Sequence, residues 1–113
     1  MKVKNEHHQC PTCGFKGLET KPYEKIPEKV NYSEISPPYS KIWGQPSYEV
    51  CDCCGFEFGF DDEPGEGAEP ETFEKYLANW AREGCNWFSP DERPVNWSLE
   101  VQLKEAGLKL NKD

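Results

Sequence analysis

A chain of 113 residues with a net charge of −8, a mean hydropathy of −0.90 and 35% hydrophobic residues predicts one small domain, 1–113, without a large apolar core. A metal or covalent cross-link would supply stability that such a core provides elsewhere. The acidic balance disfavours a nucleic-acid partner, which needs a basic surface, and suits a partner protein that has one.

The first ten residues, MKVKNEHHQC, contain no apolar segment typical of a secretory signal, and no later run approaches a membrane span. These features predict a cytoplasmic protein with no membrane partner, in which paired cysteines bind metal more often than they form disulfides. His7 and His8 are interpreted as part of a flexible start, although they could serve as spare ligands. The weak basic patch also lies here, since residues 1–30 carry six lysines and four glutamates.

Two hexamers share the pattern C-x-x-C-G-F: CPTCGF at 10–15 and CDCCGF at 51–56. Two thiolates with two residues between them can bind one ion if the intervening backbone turns back sharply. Gly14 and Gly55 would allow the positive φ at which such a turn ends. Four sulfurs suit tetrahedral Zn²⁺, so the predicted ligands of one zinc ion per chain are Cys10, Cys13, Cys51 and Cys54.

Cys53 is left outside this set, because pairing it with Cys51 would break the match between the two hexamers. Iron is the alternative metal, since four thiolates also hold iron. Zinc is preferred for its availability and the ribbon-like setting. The opposing interpretation is that the six cysteines are unrelated structural residues.

Between the hexamers, residues 14–30 indicate a short irregular strand, and the proline- and serine-rich residues 31–46 indicate a loop. The aromatic residues of this loop are expected to pack over the metal turns, and the alternative is an exposed aromatic contact surface. Residues 47–51 and 56–60 alternate apolar and polar positions, which predicts the two strands of a hairpin. Phe56, Phe58 and Phe60 would then share one buried face.

Residues 61–71 contain six acids and no base, which favours a solvated loop and, as a second interpretation, a docking site for a basic partner. Residues 71–83 predict a helix that Thr72 caps and Gly84 ends. Its apolar stripe, which would pack on the hairpin, consists of Phe73, Tyr76, Leu77 and Trp80.

Beyond this helix, Cys85 is expected to be a small buried residue. Residues 97–106 predict a second helix, which Gly107 ends. The helical C-terminal part of the chain thus covers about 71–107.

The paired turns resemble those of zinc ribbons and rubredoxin-like domains. Residues 47–90 are similar to small bacterial cysteine-rich proteins of the CPCC type, which combine a C-x-C-C-G-aromatic turn, an acidic loop and a tryptophan-bearing helix. Asp52 stands where that turn has proline. The resemblance implies metal binding, and an accessory or immunity-type role beside toxins. In rubredoxins the partner C-x-x-C lies downstream of the matching turn, whereas here it lies upstream.

These features predict an α+β fold: a small rubredoxin-like zinc ribbon with an antiparallel sheet and two C-terminal helices. The predicted function is a non-enzymatic structural zinc protein that binds another protein. A closed four-sulfur site leaves no coordination position for substrate, and no Ser–His–acid order or Gly-rich phosphate loop is present. A hydrolase would need Cys53 or Cys85 as nucleophile beside a histidine, and the sequence pairs neither with one.

Two alternatives stay open at this point. One is electron transfer through Fe(Cys)₄. The other is a nucleic-acid-binding ribbon, for which the available bases would be Lys2, Lys4, Lys16, Lys21, Lys25 and Lys29.

Overall fold

The computed structural model describes residues 7–27 and 35–110. Within them lie three α-helices, α1 (Ser40–Trp43), α2 (Phe73–Arg82) and α3 (Leu99–Ala106), and a 3₁₀ turn at Pro90–Glu92. The remaining described chain is turns and irregular segments. None of these helices is long and apolar enough to cross a membrane. The single domain and the cytoplasmic location stay predictions.

The predicted α+β fold with an antiparallel sheet is wrong. Across residues 7–27 and 35–110 there is no β-strand and no sheet. In their place stand three isolated antiparallel bridges: His8 with Leu18, Tyr23 with Pro46, and Val50 with Glu57. The first and third bridges flank the two cysteine turns, so each turn closes a minimal hairpin that does not extend into a ladder. His8 is therefore part of an ordered pairing, not of a flexible start.

A backbone turn at Phe60, which two aspartates hold, explains why the hairpin after the second cysteine turn stops. The carboxylate of Asp61 accepts the N–H of Glu57 at 2.8 Å, and that of Asp62 accepts the N–H of Gly59 at 2.8 Å. The backbone turns at the same place, since the N–H of Phe60 donates to the Glu57 carbonyl. The N–H of Phe60, which would otherwise face residues 47–51, is thus used within the turn, while the two aspartates accept the outward-facing amides of Glu57 and Gly59. Phe60 consequently leaves the predicted buried face and is 55% exposed, while Phe56 and Phe58 are fully buried.

The predicted loop at 31–46 contains α1, and residues 28–34 lie outside the described part. Tyr39 and Trp43 are buried in the same core as the cysteines, so these two aromatic residues do not form an exposed contact surface. The Tyr39 ring stacks on Phe73 with centroids 4.0 Å apart and on Trp43 with centroids 5.4 Å apart. The Tyr23 ring contacts Tyr39 edge-on and Trp43 at a tilt. This aromatic cluster supports the residues that follow the second turn.

Helices α2 and α3 lie where the sequence indicates. The Thr72 hydroxyl accepts the N–H of Lys75 at 3.0 Å, and the Ser98 hydroxyl accepts that of Val101 at 3.4 Å, which satisfies part of each helix's free N-terminal donors. Gly107 ends α3 in the left-handed conformation at φ 74°. The buried side of α2 carries Phe73, Leu77 and Trp80, so it joins the same core as the cysteines.

Candidate metal centre

The four predicted ligands meet in space. Their Sγ atoms all lie within 4.8 Å of one another, with 3.9 Å between Cys10 and Cys54 and 3.8 Å between Cys13 and Cys51. A tetrahedral ion with Zn–S bonds of about 2.3 Å places its sulfurs about 3.8 Å apart. The cluster therefore has the size of a four-thiolate site and could hold a metal ion.

The local turns have the backbone geometry that the two hexamers predict. The N–H of Gly14 donates to the Cys10 carbonyl and that of Gly55 to the Cys51 carbonyl, each at 2.9 Å. The two glycines have φ of 87° and 84°, a region that residues with a Cβ rarely adopt. Each turn thus brings its two sulfurs to the same side of the backbone.

One helix closes each turn through a side chain. The Tyr76 hydroxyl of α2 donates to the Cys54 carbonyl at 3.0 Å, and the Gln102 amide of α3 donates to the Cys13 carbonyl at 3.0 Å. The four ligand residues are at most 3% exposed. A bound ion would consequently have no coordination position that faces solvent.

Burial and mutual hydrogen bonding shift the pKa values of three of the four thiols in different directions. Burial alone raises the pKa of the Cys10 thiol, but hydrogen bonds from Cys13, Cys51 and Cys54 outweigh it and bring that pKa well below its usual value. Burial, then the hydrogen bond with Cys10, raises the pKa of Cys13 well above its usual value, and the pKa of Cys54 rises for the same two reasons. A divalent cation bound between the four sulfurs would stabilise their thiolate forms.

The two remaining cysteines lie outside the cluster of four. Cys53 is fully buried at the position that Thr12 takes in the first turn, and the Gln102 amide nitrogen lies 3.6 Å from its Sγ. Cys85, predicted to be buried, is only half-buried and has a positive φ of 55°. Burial, followed by the nearby Cys53, raises the pKa of its thiol.

Other predicted candidates contribute no group to this cluster. His7 is exposed and His8 pairs with Leu18. Lys16, Lys21 and Lys25 are exposed, and the remaining lysines of the weak basic patch, Lys2, Lys4 and Lys29, lie outside the described residues.

Sequence reasoning missed the two helix residues that close the turns. The apolar stripe that contains Tyr76 predicts that its ring is buried and gives no sign that its hydroxyl donates a hydrogen bond. Gln102 lies 89 residues from its acceptor, and a polar residue in a short helix carries no signal of such a contact.

Comparison with known proteins finds one similar sequence of wide coverage. The chain is 28% identical over 121 residues to the uncharacterized protein YoaQ of Bacillus subtilis (strain 168), an alignment that covers 94% of this chain and 88% of that protein. No protein-family model matches the chain, and no solved structure matches it. The similarity to CPCC-type proteins stays a prediction.

Proposed function

We propose that the protein is a non-enzymatic module that holds one structural zinc ion per chain and acts by binding another protein. The observation that carries this proposal is the buried cluster of four sulfurs from Cys10, Cys13, Cys51 and Cys54. A closed site of this kind has no place for water or substrate on the metal, which favours structure over catalysis.

The position of the cluster supports a structural role. Its ligands come from two turns about forty residues apart, and side chains of α2 and α3 reach the same turns from later in the chain. An ion bound there would cross-link the first and second turns and, through them, the elements that pack on both. In a small polar chain, such a link would couple metal binding to folding.

The partner class rests on charge and on the resemblance to CPCC-type proteins. The chain carries a net charge of −8, which favours a partner protein with a basic surface and opposes nucleic acid. An accessory or immunity-type role would fit the resemblance. A gel shift with single-stranded and duplex DNA at low salt tests the nucleic-acid alternative, and a salt-sensitive shift would support it.

Metal content tests the proposal most simply. Native mass spectrometry with elemental analysis is applied to protein purified without added metal, in the wild-type chain and in the Cys53→Ser and Cys13→Ser variants. We expect one zinc per chain in the first two and none in the third. A red protein with one iron would instead support the rubredoxin-like electron-transfer alternative. A wild-type chain without any transition metal would overturn the metal site itself.

A further inference from the structure

An exposed aromatic surface lies beside the acidic loop, on residues that the metal site does not use. Tyr48 is 54% exposed and Phe60 is 55% exposed, whereas the neighbouring Phe56 and Phe58 are fully buried. Large apolar side chains that share one face with charged residues mark interaction sites more often than isolated ones do. Tyr48 and Phe60 are therefore candidates for a surface that binds a partner.

Gly59 lets the Tyr48 ring lie against the backbone next to Phe60. A Cβ at Gly59 would lie 2.7 Å from Cε1 of Tyr48 and 2.6 Å from Cγ of Pro46. The Tyr48 ring and the Pro46 ring thus lie directly on the Gly59 backbone, and Phe60 follows immediately in the chain. Only a residue without a side chain allows this close approach.

The backbone beneath the surface is held in a fixed and partly strained form. Tyr48 has a φ of 63° although it is not glycine, a conformation that costs on the order of 1 kcal/mol or more. Its N–H donates to the Phe58 carbonyl at 3.0 Å, and the N–H of Phe60 donates to the Glu57 carbonyl at 3.1 Å. Aromatic residues presented on such a fixed backbone lose little conformational entropy on binding.

The charge next to the surface has one sign. Residues 61–71 contain six acids and no base. Asp61 and Asp62 use their carboxylates on backbone amides, while Glu66 and Glu69 are exposed. The N–H of Glu71 donates to the Asp61 carbonyl at 2.9 Å, so the loop returns to its starting point next to Phe60.

We propose that Tyr48, Gly59, Phe60 and the exposed glutamates of loop 61–71 form the docking surface for a basic segment of a partner protein. We name these residues the aromatic–acidic surface. An arginine guanidinium can lie on an aromatic ring within about 6 Å of its centroid and can also pair with carboxylates. The same glutamates repel nucleic acid and anionic membranes. This inference rests on the proposed function, because it names the surface that a protein-binding module would use.

Binding of short peptides to the metal-loaded, ¹⁵N-labelled protein tests this inference. The probes are an arginine–glycine repeat peptide and lysine–glycine and glutamate–glycine peptides of equal length. We expect amide shift changes confined to residues 46–69, tightest binding by the arginine peptide and none by the glutamate peptide. Shift changes spread over the entire protein, with equal affinity for the arginine and lysine peptides, would mean that the peptides bind by non-specific charge attraction. That result would overturn the proposal.

Matched variants separate the aromatic from the acidic contribution. Phe60→Ser should weaken arginine-peptide binding by about two- to fivefold, while Val95→Ser, at a residue 89% exposed elsewhere, should leave it unchanged. The pair Glu66→Gln and Glu69→Gln should weaken binding more than the equally charged change Glu100→Gln and Glu105→Gln on α3. Equal effects within either matched set would contradict the assigned surface.

Three further outcomes would overturn the inference in distinct ways. Concentration-dependent broadening of the same amides without peptide would assign the surface to a second copy of the chain. Binding of single-stranded DNA to these residues would assign it to nucleic acid. Metal content and a folded spectrum are measured first on every variant, so that a missing metal counts against the zinc proposal while the peptide result still decides the surface.

Discussion

The two cysteine turns repeat the same backbone, yet different parts of the chain hold them in place. In the first turn the N–H of Cys10 donates to the Phe15 carbonyl at 2.7 Å, and in the second the N–H of Cys51 donates to the Phe56 carbonyl at 3.0 Å. Phe15 is half-buried and meets Trp87 edge-on at 5.6 Å. Phe56 is fully buried. The two hexamers of the same pattern thus lie in different surroundings.

The second turn is held by residues that follow it within forty positions. Ser89 donates its N–H to the Asp52 carbonyl at 2.8 Å and its hydroxyl to the Asp52 carboxylate at 2.7 Å. The N–H of Phe88 donates to the Cys53 carbonyl at 3.0 Å, and Tyr76 adds the hydrogen bond from α2. This turn forms one local unit with the helix after it.

The first turn depends instead on the far end of the chain. A Cβ at Gly14 would lie 2.7 Å from Cβ of Ala106 and 3.3 Å from the Gln102 carbonyl oxygen, so α3 lies directly against the turn. The difference shows that ligand spacing is a local property of each hexamer. Closing the site against water is a tertiary property that α3 completes.

Ligand replacement should have the largest effect, and the same effect in both turns. Cys13→Ser and Cys54→Ser should each abolish metal binding and cost more than roughly 5 kcal/mol of unfolding free energy, because a structural metal site contributes most of the stability of a small domain. Metal analysis and denaturant unfolding measure both. Cys85→Ser is the control and should keep the metal. If either variant kept its metal, the two turns would not contribute equally to the metal site.

Alanine at the turn glycines should separate the two turns. Both changes place a side chain at positive φ, which costs about 1–2 kcal/mol. Gly14→Ala also forces a clash with Ala106 on α3, worth about 1–3 kcal/mol more, whereas a Cβ at Gly55 would lie 3.3 Å from the Tyr76 hydroxyl. Denaturant unfolding should therefore show the larger loss for Gly14→Ala. A larger loss for Gly55→Ala would contradict the close packing of α3 on the first turn.

Removing the helix side chains that close the turns should have smaller effects of unequal size. Tyr76→Phe removes one hydrogen bond to the Cys54 carbonyl and should cost about 1 kcal/mol. Gln102→Leu removes the bond to the Cys13 carbonyl and leaves the indole N–H of Trp97 without its acceptor at 2.8 Å, so about 2 kcal/mol is expected. Both losses are read from denaturant unfolding of the metal-loaded protein. A larger loss for Tyr76→Phe than for Gln102→Leu would mean that the contact of α2 with the metal site contributes more to stability than that of α3.

Alkaline pH should affect the aromatic cluster beneath the second turn. Burial, partly offset by the hydrogen bond from the Phe73 N–H and followed by the charges of Glu74 and Asp62, raises the pKa of Tyr39 to about 12. Because the folded pKa lies above the unfolded value of about 10, this stabilisation is present below pH 10 and is lost as the pH rises towards 12. Unfolding free energies across that range should fall more steeply in the wild type than in Tyr39→Phe. Equal slopes would show that Tyr39 does not titrate on unfolding.

Local patterns in the sequence predicted the parts of this fold that short-range physics determines. The spacing of the hexamers selected the four sulfurs that meet, and the caps at Thr72 and Gly107 marked ends of α2 and α3. The predicted sheet is absent from the described residues because the chain turns at Phe60, whose N–H donates to the Glu57 carbonyl, and Asp61 and Asp62 hold that turn. The turn depends on side-chain placement, which alternation of apolar residues does not encode.

Contacts between distant residues account for the remaining errors. The hydrogen bond from Gln102 to Cys13 joins residues 89 apart, and the contact of Tyr39 with Phe73 joins residues 34 apart. Neither pairing leaves a periodic trace in the sequence. Phe60 is exposed because of the same turn that ends the hairpin. One local turn therefore accounts both for the missing sheet and for the exposed aromatic side chain.

X-ray absorption at the metal edge tests the four-sulfur zinc site, because it reports the identity of the ion and of its ligands together. We expect zinc with four sulfur neighbours at about 2.3 Å and no lighter ligand, both in the wild type and in Cys53→Ser. A first shell that contains nitrogen or oxygen, or a sulfur lost in Cys53→Ser, would contradict the closed site built from Cys10, Cys13, Cys51 and Cys54.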